Sequence, residues 1–471
     1  MTEFILNNTK ISTETHPGTT MLDFVRYEKH LKGTKIGCRE GDCGACTVLV
    51  GELVNQQLKY NSVTSCLMPI GNAHGKHIVT IEGINLKELN NVQQAIVEEG
   101  GTQCGFCTVG FVMSLVGFSI NHTKADYENG IAAIDGNICR CTGYKSLERA
   151  VKKITQELNQ KSDLKRLDWL IAEKYIPEYF REIAEKLSNI EPIKKTGNLN
   201  IGVGGGTDLY VQKHDSMHLQ NLEFLFNDPL LKNIIQEKNK IIIGASVTVE
   251  EMSSSALMQS LFPNLKAHLK LVSSTPIRNM ATIAGNFTNA SPIGDMTIFF
   301  LALNASIDLM ENSKIRTILL KDFYKGYKIL NKNKEEKIVR IHFETPKGKR
   351  YFNFEKVCKR THLDIASVNH AIQLTIHDDH IAEANVAIGG VFAYPLYLNQ
   401  TSTFLRDKKI SAENILAAEK IMQSEITPIS DARGKAEYKR LLARQLFFAH
   451  FIVLLPSFIS PDDLIPIKSI I

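Results

Sequence analysis

No stretch of this sequence is long and apolar enough to cross a bilayer. The most apolar run, "LFFAHFIVLL" at 446–455, is closed by Pro456 and reads as a buried helix. The first residues, "MTEFILNNTKI", read as a first strand and carry no charged segment followed by an apolar core. A signal peptide is therefore not expected, and the cytoplasm is the expected compartment. No internal repeat or low-complexity tract occurs. A basic stripe is missing too: the first 160 residues hold 15 Lys+Arg against 16 Asp+Glu. The formal charge of +5 thus reads as a mixed solvated surface, with no nucleic-acid or membrane partner expected. Cysteine is almost missing from the last 330 residues, which contain only Cys358.

What remains is ordinary globular composition, 44% hydrophobic and 22% charged over 471 residues, enough for about three domains. The other eight cysteines all precede residue 142. Disulfides do not persist in a reducing compartment, so this clustering points to metal or redox chemistry in the N-terminal third.

In "GCREGDCGACTV" (37–48), Cys38, Cys43 and Cys46 are spaced C-x4-C-x2-C, and Cys66 follows as a distant fourth. This is plant-type ferredoxin spacing. The bridging sulfides and thiolates of a cluster carry negative charge, so backbone N–H groups must turn inward. Gly37, Gly41 and Gly44 are expected to allow those turns through positive φ. "TTMLDFVRYEKH" (19–30) reads as a Thr-capped helix before the loop and "CTVLVGE" (46–52) as a strand after it. Four cysteines also suit a structural zinc. Zinc sites, however, usually come as paired C-x2-C knuckles, so the spacing favours a 2Fe–2S cluster.

Cys104 and Cys107 in "QCGFCTVGFVMSLVGF" and Cys139 and Cys141 in "DGNICRCTGYKSLERAVKKI" each precede a helical run. Helix N-termini favour thiolates, and two such pairs facing each other would make a compact four-thiolate cage. Alone, C-x2-C plus C-x-C suits zinc as well as iron–sulfur. Its place behind a ferredoxin-like module favours iron–sulfur.

"EGDCGACTV", "QCGFCT" and "GNICRCTGY" resemble the iron–sulfur motifs of the molybdenum hydroxylase family, in that family's order. Val109 departs from the pattern, standing where members commonly have proline.

The middle of the chain carries "NLNIGVGGGTDLYV" (198–211). It reads as a strand over 198–203, a tight loop at Gly204–Gly206 with a left-handed turn at Gly205, and a helix cap at Thr207–Asp208. Such a loop makes a nest for phosphate, though alone it also fits a plain strand–turn–helix. It lacks the third glycine of the Rossmann fingerprint, since Thr207 stands there. "STPIRNMATIAGNFTNASPIGD" (274–295) reads as a polar loop anchored by Ile277, Met280, Ile283 and Phe287, and Asp295 could accept hydrogen bonds from sugar hydroxyls.

These two stretches resemble the FAD-binding segments of the same family. The resemblance implies FAD contacts at Gly202, Val203, Gly204, Gly205, Gly206, Thr207, Asp208 and Leu209. It implies more at Thr282, Ile283, Ala284, Gly285, Asn286 and Asp295, the "AGN" part as a turn, with weaker matches at Val272 and Ile338. "FEKVCKRTHLDIASV" (354–368) resembles the segment passing near the flavin, which carries Lys356 onto FAD and leaves Cys358 a non-ligand. "VAIGGVFAYP" and "ITPISDARGKAEYKRLLA" resemble the closing domain, although "AYPLYLNQ" replaces a Thr-Pro-Lys-Arg run common in members.

The resemblance implies an α+β multidomain chain: a β-grasp 2Fe–2S domain over 1–80 and a helical-bundle 2Fe–2S domain over 81–158. A polar linker over 158–166 would lead to an α+β FAD domain over 167–345 and a C-terminal α+β domain over 350–460. It implies cluster ligation by Cys38, Cys43, Cys46, Cys66, Cys104, Cys107, Cys139 and Cys141. Two clusters at about −2 each and a pyrophosphate at about −2 would bring the loaded chain near −1. The likeness is closest to small subunits that work beside a molybdopterin-binding large subunit, in a heterotetramer of two small and two large chains. Electrons would run from molybdenum through the helical-domain cluster, the ferredoxin-type cluster and FAD to NAD. Purine, aldehyde and other N-heterocycle substrates all fit this reading, and a non-catalytic iron–sulfur carrier is the rival of another class.

Overall fold

The computed structural model describes residues 1–121, 124–160, 162, 164–192, 201–345, 348–360 and 364–465. Lys161 and Asp163 of the expected linker, residues 198–200 of the expected strand, and 361–363 lie outside them. The chain divides into two units, Met1–Asn227 with Ser274–Ala281, and Asp228–Ser273 with Thr282–Ile471. Its α+β multidomain class is as the sequence suggests.

The first unit begins with a five-stranded sheet in the order Thr9–Thr13, Thr2–Leu6, His77–Val79, Thr47–Val54, Gln57–Thr64. Thr2–Leu6 runs parallel to His77–Val79, and the other pairings are antiparallel. "MTEFILNNTKI" is a hairpin rather than one strand, because Asn7 takes φ +54° and turns the chain. The helix expected over 19–30 is shorter and changes pitch. Thr20 caps Met21–Asp23 by accepting from the Asp23 amide, and Phe24–Glu28 continues as a π turn closed by Lys29 N to Phe24 O. Phe24 meets Phe4 edge-on at 5.6 Å, which docks this helix on the sheet as in a β-grasp.

A helical bundle follows: Asn91–Glu98, Thr108–Asn121, Tyr127–Ala133 and Lys145–Leu158. Thr108–Asn121 is apolar all round, so it is the buried centre, with Phe111, Met113, Leu115 and Val116 fully enclosed. Val109 is its second residue, partly buried against the same core. Trp169, Leu170, Tyr175, Ile176 and Phe180, read in the sequence as the start of the flavin domain, bury themselves in this bundle's core. Ile201–Val203 then pairs in parallel with Leu222–Phe224.

The second unit has an antiparallel sheet in the order Lys314–Leu319, Ser306–Glu311, Lys337–Glu344, Lys240–Gly244, Ile234–Glu237. A second sheet, built on the meander Lys349–Val357, Val368–His377 and His380–Gly389, packs against Ala412–Glu425 and Ala436–Leu454. The apolar run at 446–455 lies at the end of Ala436–Leu454, with Phe447, Phe448 and Phe451 buried. Among the described residues no helix is long and apolar enough to cross a membrane.

Candidate functional site

Cys38, Cys43 and Cys46 lie on the loop entering Thr47–Val54, and Cys66 lies just past the end of Gln57–Thr64. The antiparallel pairing of those two strands brings Cys66 back beside Cys46. The Cys46 and Cys66 thiols hydrogen-bond each other, as do those of Cys38 and Cys43. The Cys38 amide points at Cys43 Sγ (3.4 Å) and the Glu40 amide at Cys38 Sγ (3.3 Å). Gly41 and Gly44 take φ of +81° and +68°, as the turns require. Gly37 does not take positive φ; it is needed for space, because a Cβ there would lie 2.6 Å from Cys43 Sγ. In each pair the shared hydrogen bond lowers one thiol and raises its mate. The hydrogen bond from Cys43 brings Cys38 down to about 5, while the same bond pushes Cys43 up. Cys46 is lowered by its bond with Cys66, which is raised by it.

The helical set also forms two pairs. Cys104 and Cys107 precede Thr108–Asn121, and Cys139 and Cys141 precede Lys145–Leu158, as read from the sequence. Cys141 Sγ lies 3.6 Å from Cys104 Sγ, and Cys107 hydrogen-bonds Cys139. Burial first, and then the bond with Cys139, push Cys107 up to about 12. Burial would raise Cys139 too, but hydrogen bonds from Thr142 and the Cys141 amide bring it to about 7. The two helix-start pairs thus meet as Cys104 with Cys141 and Cys107 with Cys139. Among the described residues no three metal-binding side chains gather around one point. Two thiol pairs in each set are the donor set that two irons need, each held by two thiolates, and the protons shared within the pairs are the ones metal binding would displace.

Residues without a sequence signal join the two sets. Ile138 N donates to Cys43 O at 3.1 Å, and Asn137 Nδ2 to Gly44 O at 3.1 Å. Ser114 Oγ donates to Asn137 Oδ1 at 2.7 Å, holding the amide in place. A Cβ on Gly110 would stand 2.2 Å from Gly44 O, so glycine lets the central helix lie against the first loop.

The glycine segment belongs to the first unit. Asn72 Nδ2 donates to Gly204 O at 2.9 Å, and a Cβ on Gly206 would come 2.7 Å from Leu67 O. The loop thus rests on the residues just after Cys66. The left-handed position is Gly206, at φ +91°, and not Gly205. Gly205 is required for close approach instead: a Cβ there would fall 1.7 Å from Met280 O. Asp208 takes the N-cap position of Leu209–Lys213 without a side-chain capping bond. Thr207 lies in the turn before it. Ser274–Ala281 is helical over Thr275–Arg278 rather than a loop. It is tied to the helical domain by Asp135, which accepts from Thr275 N at 2.8 Å and from Arg278 Nη2 at 3.3 Å.

Thr282–Asn286, Val272, Asp295, Ile338 and Lys356 belong to the second unit. The "AGN" stretch is the first turn of a helix, Ile283–Asn289, because Thr282 Oγ1 accepts from Gly285 N at 3.1 Å. Asp295 opens Asp295–Ala302, and both its oxygens take protein donors: Lys356 Nζ at 2.7 Å and Asn369 Nδ2 at 2.6 Å. Lys356 also donates to Leu271 O at 2.8 Å and is almost fully buried, so the structure pairs these two residues with each other. Val272 and Ile338 are buried apolar positions. Cys358 donates to Arg360 O, away from both cysteine sets in sequence.

Comparison with known families accounts for most of the chain. Residues 4–71 match the 2Fe-2S iron-sulfur cluster binding domain and 80–152 the second 2Fe-2S binding domain. Residues 173–345 match the FAD binding domain in molybdopterin dehydrogenase, and 353–453 the CO dehydrogenase flavoprotein C-terminal domain. The chain carries the iron–sulfur and flavin domains of the molybdenum hydroxylases. Its cofactors are two 2Fe–2S clusters and FAD. Xanthine dehydrogenase of Emericella nidulans is 27% identical over 95% of this chain and 38% of that protein. Xanthine dehydrogenase/oxidase of Rattus norvegicus is 26% identical over 96% of this chain and 39% of that protein. The chain thus spans well under half the length of these relatives. A solved chain of quinoline 2-oxidoreductase from Pseudomonas putida 86 shares the fold, with TM-score 0.50 and 22% identity, over 55% of this chain and 90% of that one.

Proposed function

We propose that this chain is the electron-transfer subunit of a xanthine dehydrogenase. It would work beside a molybdopterin-binding large subunit, as two copies of each, in the cytoplasm. Cys38, Cys43, Cys46 and Cys66 hold the ferredoxin-type cluster, and Cys104, Cys107, Cys139 and Cys141 the helical-domain cluster. Gly202–Leu209 and Thr282–Asn286 hold FAD. When bound, the clusters carry single electrons, whereas the flavin takes up two and can release them to NAD as a hydride. The residues of this chain would supply binding and spacing: paired cysteines, a glycine-rich loop for the pyrophosphate, and the Ile138–Cys43 hydrogen bond between the two cysteine sets.

The observation that carries this reading is the alignment of xanthine dehydrogenases along 95% of the chain. The purified chain is expected to oxidise NADH with ferricyanide and to leave hypoxanthine and xanthine untouched. Adding the large subunit should produce purine-dependent NAD reduction. A panel with aldehydes and other N-heterocycles checks the substrate. Turnover of one of those with purines inert would replace the purine assignment.

A further inference from the structure

Arg39 stands between Cys38 and Glu40 with φ +60°, a left-handed conformation that few side-chain-bearing residues adopt. Its own side chain holds it there. Nη2 donates to Asp23 Oδ1 at 2.8 Å and Nη1 to Asp23 Oδ2 at 3.2 Å, a two-pronged, charge-assisted pair. Nη1 also meets His214 Nε2 at 3.0 Å. Arginine only donates, so Nε2 must accept, and the ring proton sits on Nδ1, 3.1 Å from Asp215 Oδ1.

Both anchors are themselves fixed. Thr20 Oγ1 donates to Asp23 Oδ2 at 2.8 Å while capping the same short helix. His214 directly follows the helix Leu209–Lys213 that closes the glycine segment, and Tyr210 of that helix donates to Gly18 O at 2.7 Å. The clamp therefore joins the first cysteine loop, the β-grasp helix and the flavin segment inside one unit. Its consequence lies one residue away. The left-handed turn at Arg39 aims the Glu40 amide at Cys38 Sγ, 3.3 Å distant. Hydrogen bonds to cluster sulfurs raise reduction potential by stabilising the more negative, reduced form.

We propose that Arg39, clamped by Asp23 and His214, is a positioning residue for the ferredoxin-type cluster. The clamp holds the turn that delivers the Glu40 hydrogen bond to the Cys38 sulfur, and His214 makes the flavin segment part of that cluster's support. The inference rests on Cys38, Cys43, Cys46 and Cys66 holding that cluster.

The test is a reductive titration of the purified, cluster-loaded chain followed by electron paramagnetic resonance, which reads each cluster separately. Arg39→Ala and His214→Ala should move the ferredoxin-type signal to lower potential and leave the helical-domain signal unmoved. Arg39→Gly should shift less than Arg39→Ala, because glycine takes the left-handed turn without a clamp. His214 is partly exposed, so His214→Ala carries the test by itself if Arg39→Ala loses its iron. Wild-type potentials in the His214 and Arg39→Ala variants would overturn the proposal, as would an equal shift of both clusters. A shift as large in Arg39→Gly as in Arg39→Ala would overturn it in favour of the guanidinium charge. A wild-type chain without a ferredoxin-type signal would overturn the cluster assignment, and the clamp with it.

Discussion

The amide of Ile138 donates to the carbonyl of Cys43 at 3.1 Å, so one hydrogen bond and one peptide link separate a cysteine of the first set from Cys139 of the second. Asn137 reinforces it through Gly44 O and Ser114. Asn137→Ala should leave the buried Ser114 hydroxyl and Gly44 carbonyl without this partner, at a cost of about 1–3 kcal/mol. Visible absorbance of the clusters should be lost at lower temperature than in the wild type. An unchanged melting profile would show that the loops are held together elsewhere.

The glycine segment separates space from conformation. Gly206→Val forces a β-branched residue into φ +91°, a strain of order 1–3 kcal/mol. Gly205→Val instead drives a side chain into Met280 O. Both should lower FAD content per chain while iron stays near the roughly four atoms expected of two 2Fe–2S clusters. Full flavin occupancy in both variants would move the pyrophosphate nest away from this loop. Cys358→Ser should leave iron content unchanged.

A buried polar chain should make the second unit acid-sensitive. His268 Nε2 lies 3.1 Å from Asn353 Oδ1, Asn353 Nδ2 3.0 Å from His450 Nδ1, and His450 Nε2 2.9 Å from His370 Nδ1. Burial lowers all three histidines, His370 to about 3. Unfolding frees them to bind protons near the ordinary histidine value of about 6.5. Their contribution is complete above that value and is lost as pH falls toward 3, at about 1.4 kcal/mol per pH unit for each histidine that stays neutral in the fold. Denaturant midpoints measured from pH 7.5 down to 4.5 should fall, and less steeply in His370→Gln. A flat profile would contradict the buried neutral state.

The cysteine loops were legible because ligand spacing and glycine density are local properties of the chain. Helix starts at Thr108 and Lys145 were legible for the same reason. What escaped was set by distant packing. Asp295 and Lys356 pair across 61 positions and Arg39 and His214 across 175, distances no periodicity encodes. Trp169 and Phe180 fall within the range expected for the flavin domain, and only tertiary contact shows that their side chains pack in the bundle's core. The resemblance implied a turn at Ala284–Asn286, but the Thr282 cap makes the stretch helical.

The most direct measurement of the central claim is the pair of activities of Cys104→Ser in the complex with the large subunit. The account predicts that purine-dependent NAD reduction is lost while NADH–ferricyanide activity is retained, since the latter needs only bound FAD. Loss of both activities with FAD and fold intact, or retention of both, would contradict it.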